Sequence, residues 1–269
     1  VSHDVIFIGG GHNGLATAAL LAKAGKKVLV LERRDVIGGA AVTEEIHPGF
    51  KVSALAHTTG PVRASLVRDL GLQLETVEPE PRVFAPQPDG RALALFGDPA
   101  KSVASISAFS AKDAAAYPKF HETLTRVAGA IESILDVTPP DIENTPKLAD
   151  AWPMGKIGLK VRSLGRDDAY SLLRWGPMAV ADFANEWFET EALRAVIAAR
   201  GVAGIGAGPW SGGTTANLLL HAAASGGNGA GSTVFVKGGI GAVSEALAAA
   251  AKRLGATIRT GAEVKHLIT

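Results

Sequence analysis

"VIFIGGGHNGLATAALLAKAGKKVLVLERRDVIGG", residues 5–39, sets an apolar strand, a glycine-rich turn, an alanine-rich helix, a second apolar strand and an acid in succession. From Val5 to Glu32 that order predicts a βαβ unit. Gly9-x-Gly11-x-x-Gly14 follows the strand Val5–Ile8 and opens the helix, the position a dinucleotide fingerprint requires. Gly9 allows the tight turn, Gly11 lets a pyrophosphate approach the backbone, and Gly14 lets helix and strand pack closely. Phosphate charge then meets the free N–H groups and positive dipole of the helix N-terminus. Glu32 closes the strand Val28–Leu31, where its carboxylate can accept hydrogen bonds from both adenosine ribose hydroxyls and repel a ribose phosphate. His12 and Asn13 lie in the turn and are read as turn residues and backbone donors, not as acid-base groups.

The whole chain narrows the remaining choices. Its 269 residues carry 27 Lys plus Arg against 26 Asp plus Glu, so a net charge of +1 gives no field to recruit nucleic acid. The absence of cysteine excludes disulfides, thiolate metal sites and thiol nucleophiles, and it points to an intracellular, cytoplasmic setting. No apolar run is long enough to predict a membrane span. With no HxxxH pattern, GxSxG elbow or GxxxxGKS loop, a metal site, a hydrolase and a kinase have no support.

Downstream the pattern changes. "HPGFKVSALAHTTGPVRASLVRDLGL" predicts an extended segment and a short helix ending at Gly71, and "RVFAPQPDGRALALFGD" predicts a hairpin about Pro88-Asp89-Gly90. Phe120, Leu124, Val127, Ile131 and Ile134 mark the core stripe of a helix led by Asp113. A second helix is predicted from Asp182 through Phe183, Trp187, Phe188, Leu193, Val196 and Ile197. Residues 145–168 between them read as turn-rich, with basic charges on a solvated surface. Glycine-rich residues 201–241 read as ordered backbone passing close to something bulky, because Ala216–Ala224 and Thr233–Val236 are apolar. The tail from Lys237 repeats the opening order, with a strand expected over Ala262–Thr269. Residues 1–75 and 230–269 are therefore expected to form one nucleotide-binding domain, with 76–229 forming a substrate-side domain.

The glycines alone leave FAD and NAD open. Arg33, Arg34 and the doublet Gly38-Gly39 follow Glu32, where a nicotinamide dehydrogenase would be entering its next helix. A second close backbone approach suits the longer, two-ended FAD. The string through Gly39, with "HPGFKVSALAH", "FAPQPDGRALALF", "ISAFSAKDAAAYPKF", "LDVTPPDIE" and the tail, resembles the phytoene desaturase-like FAD oxidoreductases of the amine oxidase-type flavoprotein group. Within it, the chain is most similar to the branch of pyridine nucleotide-disulfide oxidoreductase domain-containing protein 2.

The resemblance implies an α/β fold with a Rossmann-like FAD-binding domain and an inserted α+β substrate-side domain, incomplete at its C-terminus because members of the group continue for about as long again. It implies that Val264 offers backbone groups to the adenine and that His57 is routed near the flavin; a hydrogen-bonded structural role for His57 stands beside that reading. Lys237 faces the same choice between flavin and solvent, and His221 reads as a core residue. The implied activity is hydride abstraction from a small apolar substrate, with electrons passing to oxygen, a quinone or another acceptor. Peripheral contact with a membrane and homo-oligomerisation are further expectations, as is low activity of the 269-residue chain by itself. A nicotinamide-dependent dehydrogenase and a non-catalytic nucleotide-binding scaffold remain the alternatives.

Overall fold

The computed structural model describes residues 2–56, 62–135, 137, 148–224 and 234–268. The predicted unit opens the chain as β1 (Val5–Ile8), α1 (His12–Lys23) and β2 (Val28–Leu31). A hairpin, β3 (Thr43–His47) and β4 (Phe50–Ser53), follows, then α2 (Ala64–Leu70) and β5 (Thr76–Val77). Helix α2 ends where Gly71 turns left-handed at φ +59°. Next come β6 (Val83–Pro86) and β7 (Ala92–Leu95), the predicted hairpin, held at its tip by Asp89 accepting from the Arg91 N–H at 3.0 Å. The helices α3 (Pro99–Ser107), α4 (Ala111–Leu135), α5 (Leu148–Ser163), α6 (Gly165–Trp175), α7 (Val180–Trp187), α8 (Glu191–Val202) and α9 (Thr214–Ala224) then run in order. The chain closes with β8 (Phe235–Val236), α10 (Gly241–Arg253) and β9 (Thr257–Arg259).

Two compact units result, Val1–Glu78 with Thr233–Thr269, and Pro79–Ser232. In the first, β1, β2 and β9 form a parallel sheet with β2 central, Val5 opposite Val28 and Leu29 opposite Thr257. Leu15, Ala18, Ala19 and Ala22 share one face of α1 and pack with Val243, Leu247, Ala250 and Ala251 of α10. Their small side chains let the two helices approach closely over the buried Val28 and Val30. The first stretch of this unit extends to Glu78 because β5 pairs antiparallel with β8, Thr76 opposite Val236. The expected strand over Ala262–Thr269 is not formed by its described residues: the Ala262 N–H donates to the Glu32 carbonyl at 2.8 Å, but residues 263–268 join no strand of the sheet.

The second unit is mostly helical, with a core of Tyr117, Phe120, Trp175, Phe183, Phe188, Leu193 and Ile197. Phe120 and Phe188 meet edge-on at 4.9 Å between ring centroids. The predicted helix from Asp182 to Ile197 is in fact two. Buried Asp113, near the start of α4, accepts the Glu189 N–H at 2.9 Å and the Thr190 N–H at 2.8 Å. Those two donors open α8, so a carboxylate distant in sequence starts a new helix where periodicity runs straight through. Residues 145–168 also depart from expectation: α5 and α6 cover most of this stretch, because packing against α4 overrides the local Pro153 and glycine signals. Within the glycine-rich stretch, the bulky neighbour of Gly201 is Val180, whose Cγ2 would lie 2.6 Å from an added Cβ. Close approach there serves packing; residues 225–233 lie outside the described residues.

Asp113 carries a testable consequence. Burial alone pushes its pKa up, but the Thr190 side chain, the two backbone N–H donors and Lys112 outweigh it and hold the carboxyl below its ordinary 3.8. Its stabilising contribution is therefore complete well above 3.8 and is lost as pH falls through 3.8 towards the lower folded value. Asp113→Ala leaves two part-buried N–H donors without their acceptor and is expected to cost about 1–3 kcal/mol. Denaturant unfolding at neutral and acid pH should show this penalty shrinking as pH falls.

Candidate functional site

The glycine turn between β1 and α1 is built by backbone constraints that differ at each position. Gly9 has φ +100°, a conformation that favours glycine, and donates to the Leu31 carbonyl at 2.7 Å. Gly10 is buried, and an added Cβ would lie 3.2 Å from the Glu32 Cβ. Gly11 has ordinary extended angles, φ −71° and ψ 160°, and caps α1 with no side-chain hydrogen bond to the helix end. A Cβ on Gly11 would meet nothing within 4 Å, so space lies open at the helix N-terminus. At Gly14 a Cβ would stand 3.2 Å from the Gly9 carbonyl oxygen, the close helix-on-strand packing expected of the third glycine.

Glu32 lies under this turn, only 8 % exposed. Its Oε2 accepts the Gly10 N–H at 2.7 Å and its Oε1 accepts the Arg34 N–H at 2.9 Å. Burial pushes the carboxyl pKa up, but the N–H groups of Arg34, Gly10 and Arg33 together with the Arg34 charge prevail and hold it below the ordinary range. The group is thus an ionised acceptor at neutral pH. Each oxygen has further lone-pair capacity beyond its one backbone donor.

The second doublet meets the first turn. Gly38 donates to the Gly10 carbonyl at 2.8 Å, and a Cβ on Gly39 would lie 3.2 Å from the Gly11 Cα. Gly38 has φ +123°, and its missing Cβ position is taken by the Ala41 carbonyl, Val42 and Ser244. The returning chain borders the same place: Glu32 donates to Arg259 and accepts from Ala262, both at 2.8 Å. Val264 follows two residues later, half-buried.

The structure therefore brings together Gly9, Gly11, Gly14, Glu32, Gly38 and Gly39, with Val264 in the adjoining segment. His12 and Asn13 stand in the first turn of α1, where the Asn13 carbonyl accepts from Thr17. Arg33 is exposed, and the Arg34 guanidinium is held by Glu44 at 2.6 Å. Lys237 pairs with Glu75 at 2.8 Å on the surface, the solvated alternative. His221 is exposed, not core, because it lies beside rather than within the buried stripe of Leu218, Leu219, Ala222 and Ala223 on α9. His57 lies outside the described residues.

Sequence reasoning missed three contributors. Gly10 is the donor that ties the turn to Glu32, signalled only by the unbroken Gly9-Gly10-Gly11 run. Buried Ser244 donates to the Ala41 carbonyl at 2.8 Å and so holds the chain beside Gly38. Thr43 Oγ1 accepts the Gly241 N–H at 2.9 Å, and neither Gly239 nor Gly241 has room for a Cβ beside Thr43. The second glycine turn is thus a clasp on β3, for which Gly238-Gly239-x-Gly241 was the available sign.

A glycine floor with open space at a helix N-terminus, beside an ionised carboxylate at the next strand end, fits a dinucleotide. The flavin containing amine oxidoreductase family matches residues 14–269, almost the whole chain. The chain belongs to that family. Its relatives include the rat (Rattus norvegicus) pyridine nucleotide-disulfide oxidoreductase domain-containing protein 2, 36 % identical over 96 % of this chain and 47 % of that protein. A limonene dehydrogenase polypeptide of Castellaniella defragrans is 34 % identical over 64 % of this chain and 32 % of its own length. The structure of putrescine oxidase bound to putrescine superposes with a TM-score of 0.56 at 20 % identity, covering 97 % of this chain and 51 % of that one. The last likeness shows a shared fold. The chain spans about half the length of the first of these relatives. Family membership brings a flavin as the cofactor and selects the amine oxidase-type arrangement among α/β folds. Among the described residues no helix is long and apolar enough to cross a membrane, and no three His, Cys, Asp or Glu cluster as a metal site would require.

Proposed function

We propose that the protein is an FAD-dependent oxidoreductase that dehydrogenates or desaturates a small apolar substrate. The observation that carries this reading is the meeting of Gly39 with Gly11 beside ionised Glu32, which joins the two glycine segments into one cradle. The Gly9–Gly14 turn would receive the pyrophosphate, Glu32 the ribose hydroxyls, and the chain near Val264 the adenine. A bound flavin supplies the hydride acceptor, with the electrons passing on to oxygen, a quinone or another acceptor. The residues of this chain bind and orient the nucleotide, and the second unit supplies the substrate side. An apolar substrate is supported by the name of the limonene dehydrogenase relative, since limonene is a hydrocarbon.

Visible absorption tests this reading. Purified protein supplied with FAD should retain a yellow chromophore through gel filtration, and the colour should bleach on anaerobic reduction. A folded, colourless protein that prefers NAD to FAD in a binding titration would overturn it.

A further inference from the structure

We propose that a cavity in the helical unit binds a guanidinium group, the planar cation of arginine and of small guanidines. The cavity holds about 780 Å³ and is lined from α7 and from the turn that precedes α9. Asp182, Asn185 and Glu186 stand at helical spacing on α7 and face it, while Phe183 and Ala184 between them are buried in the core. Trp210 and Gly212 of the turn line the same cavity. Three hydrogen bonds tie the turn to the start of α7: the Ala181 N–H donates to the Pro209 carbonyl at 2.9 Å, the Val180 N–H to Thr214 Oγ1 at 2.8 Å, and the Gly213 N–H to the Pro177 carbonyl at 2.9 Å. Trp210 and Asp182 each follow directly on a member of the first of these pairs. The site is therefore held in place by backbone that is already bonded.

Two lining groups have no partner within the chain. Among the described residues the Asp182 carboxylate accepts no hydrogen bond and enters no ion pair. Trp210 is 68 % exposed, and among the described residues no ring or cation rests on its indole. Glu186, by contrast, is matched: its two oxygens hold Arg174 Nη1 and Nη2, each at 2.6 Å. Arg194 donates to Asn185 Oδ1 at 2.8 Å without lining the cavity. Arg174 against Asp182 and Glu186 leaves one negative charge over on the lining, which draws in a cation. A flat indole face beside a carboxylate then selects among cations. A guanidinium can stack its plane on the ring and aim paired N–H donors at the carboxylate, whereas an ammonium is a compact point charge without that double fit.

The test is calorimetric titration of the whole chain with acetyl-Gly-Arg-Gly-amide, with the same peptide carrying citrulline or lysine in place of arginine, and with methylguanidine. The arginine peptide should bind saturably at one site, and the neutral citrulline peptide at least about tenfold more weakly. Asp182→Asn should weaken the arginine peptide by roughly tenfold or more. Trp210→Ala should weaken it by about fivefold, and Trp210→Phe should recover part of that loss. Both side chains are exposed, so the thermal midpoints should not move. If a variant fails to fold, the comparison of arginine with citrulline on the unmodified chain decides the matter. Tighter binding of the peptide than of methylguanidine upholds the site with a polypeptide as the source, and equal binding upholds it with a small molecule. Equal affinity for the citrulline or the lysine peptide would overturn the proposal, as would no binding of the arginine peptide and methylguanidine. No flavin enters the readout, so its failure leaves the flavin assignment untouched.

Discussion

Gly11→Val is expected to abolish flavin binding while leaving the protein folded. Gly11 holds φ −71° and ψ 160°, angles open to any residue, and its Cβ direction is free of protein atoms to 4 Å. An added Cβ therefore meets nothing in the chain itself, and the valine methyl groups extend beyond it. They occupy the open space at the N-terminus of α1, the place assigned to the pyrophosphate. Loss of at least about a hundredfold in flavin affinity, roughly 3 kcal/mol, is expected. The thermal midpoint of the cofactor-free variant should stay within a few degrees of the parent. Retained affinity in the valine variant would show that the phosphates lie elsewhere.

Glu32→Ala should lower both stability and flavin affinity. The N–H groups of Gly10 and Arg34 lose their acceptor, and Gly10 is buried. A stability loss of about 1–3 kcal/mol is expected, seen as a shift in denaturant midpoint without cofactor. Loss of a charge-assisted contact to the ribose removes about one to two decades of flavin affinity. Glu32→Gln should recover only part of the stability, because a glutamine amide offers one oxygen and sets an NH2 group against the second donor. A midpoint shift for Glu32→Ala with none for Gly11→Val would separate the carboxylate's structural duty from its duty to the ligand. Equal flavin affinity in the alanine variant and the parent would remove Glu32 from the site.

The features legible in the sequence were those set by near neighbours. The βαβ unit, the Asp89-Gly90 hairpin and the end of α2 at Gly71 each depend on residues a few positions apart, so spacing and turn chemistry reveal them. Gly14 was readable for the same reason: its partner, the Gly9 carbonyl, lies in the same turn. Contacts made across the chain were not legible. Asp113 breaks the helix at Glu189 from 76 positions away, where Thr190 at the cap position of α8 is the local sign of a new start. Gly10 serves Glu32 across 22 positions, and Ser244 serves Ala41 across 203. Residues 145–168 misled in the other direction, since their proline and glycines are local signals that packing on α4 overrules. The strand expected around Val264 failed because apolar alternation supplies one face of a strand but not the hydrogen-bonding neighbour that makes it one. Exposure of Trp152 and Leu173 was likewise outside the reach of composition, which reads a basic segment without showing which apolar residues stay uncovered.

The nucleotide carried by the protein tests the central claim most directly. Protein purified in the presence of a flavin and nicotinamide nucleotide mixture should be freed of unbound ligand, heated, and the released cofactor weighed by mass spectrometry. The cradle formed by Gly9–Gly14, Glu32 and Gly38-Gly39 predicts FAD. Release of NAD, or of no nucleotide from folded protein, would contradict it.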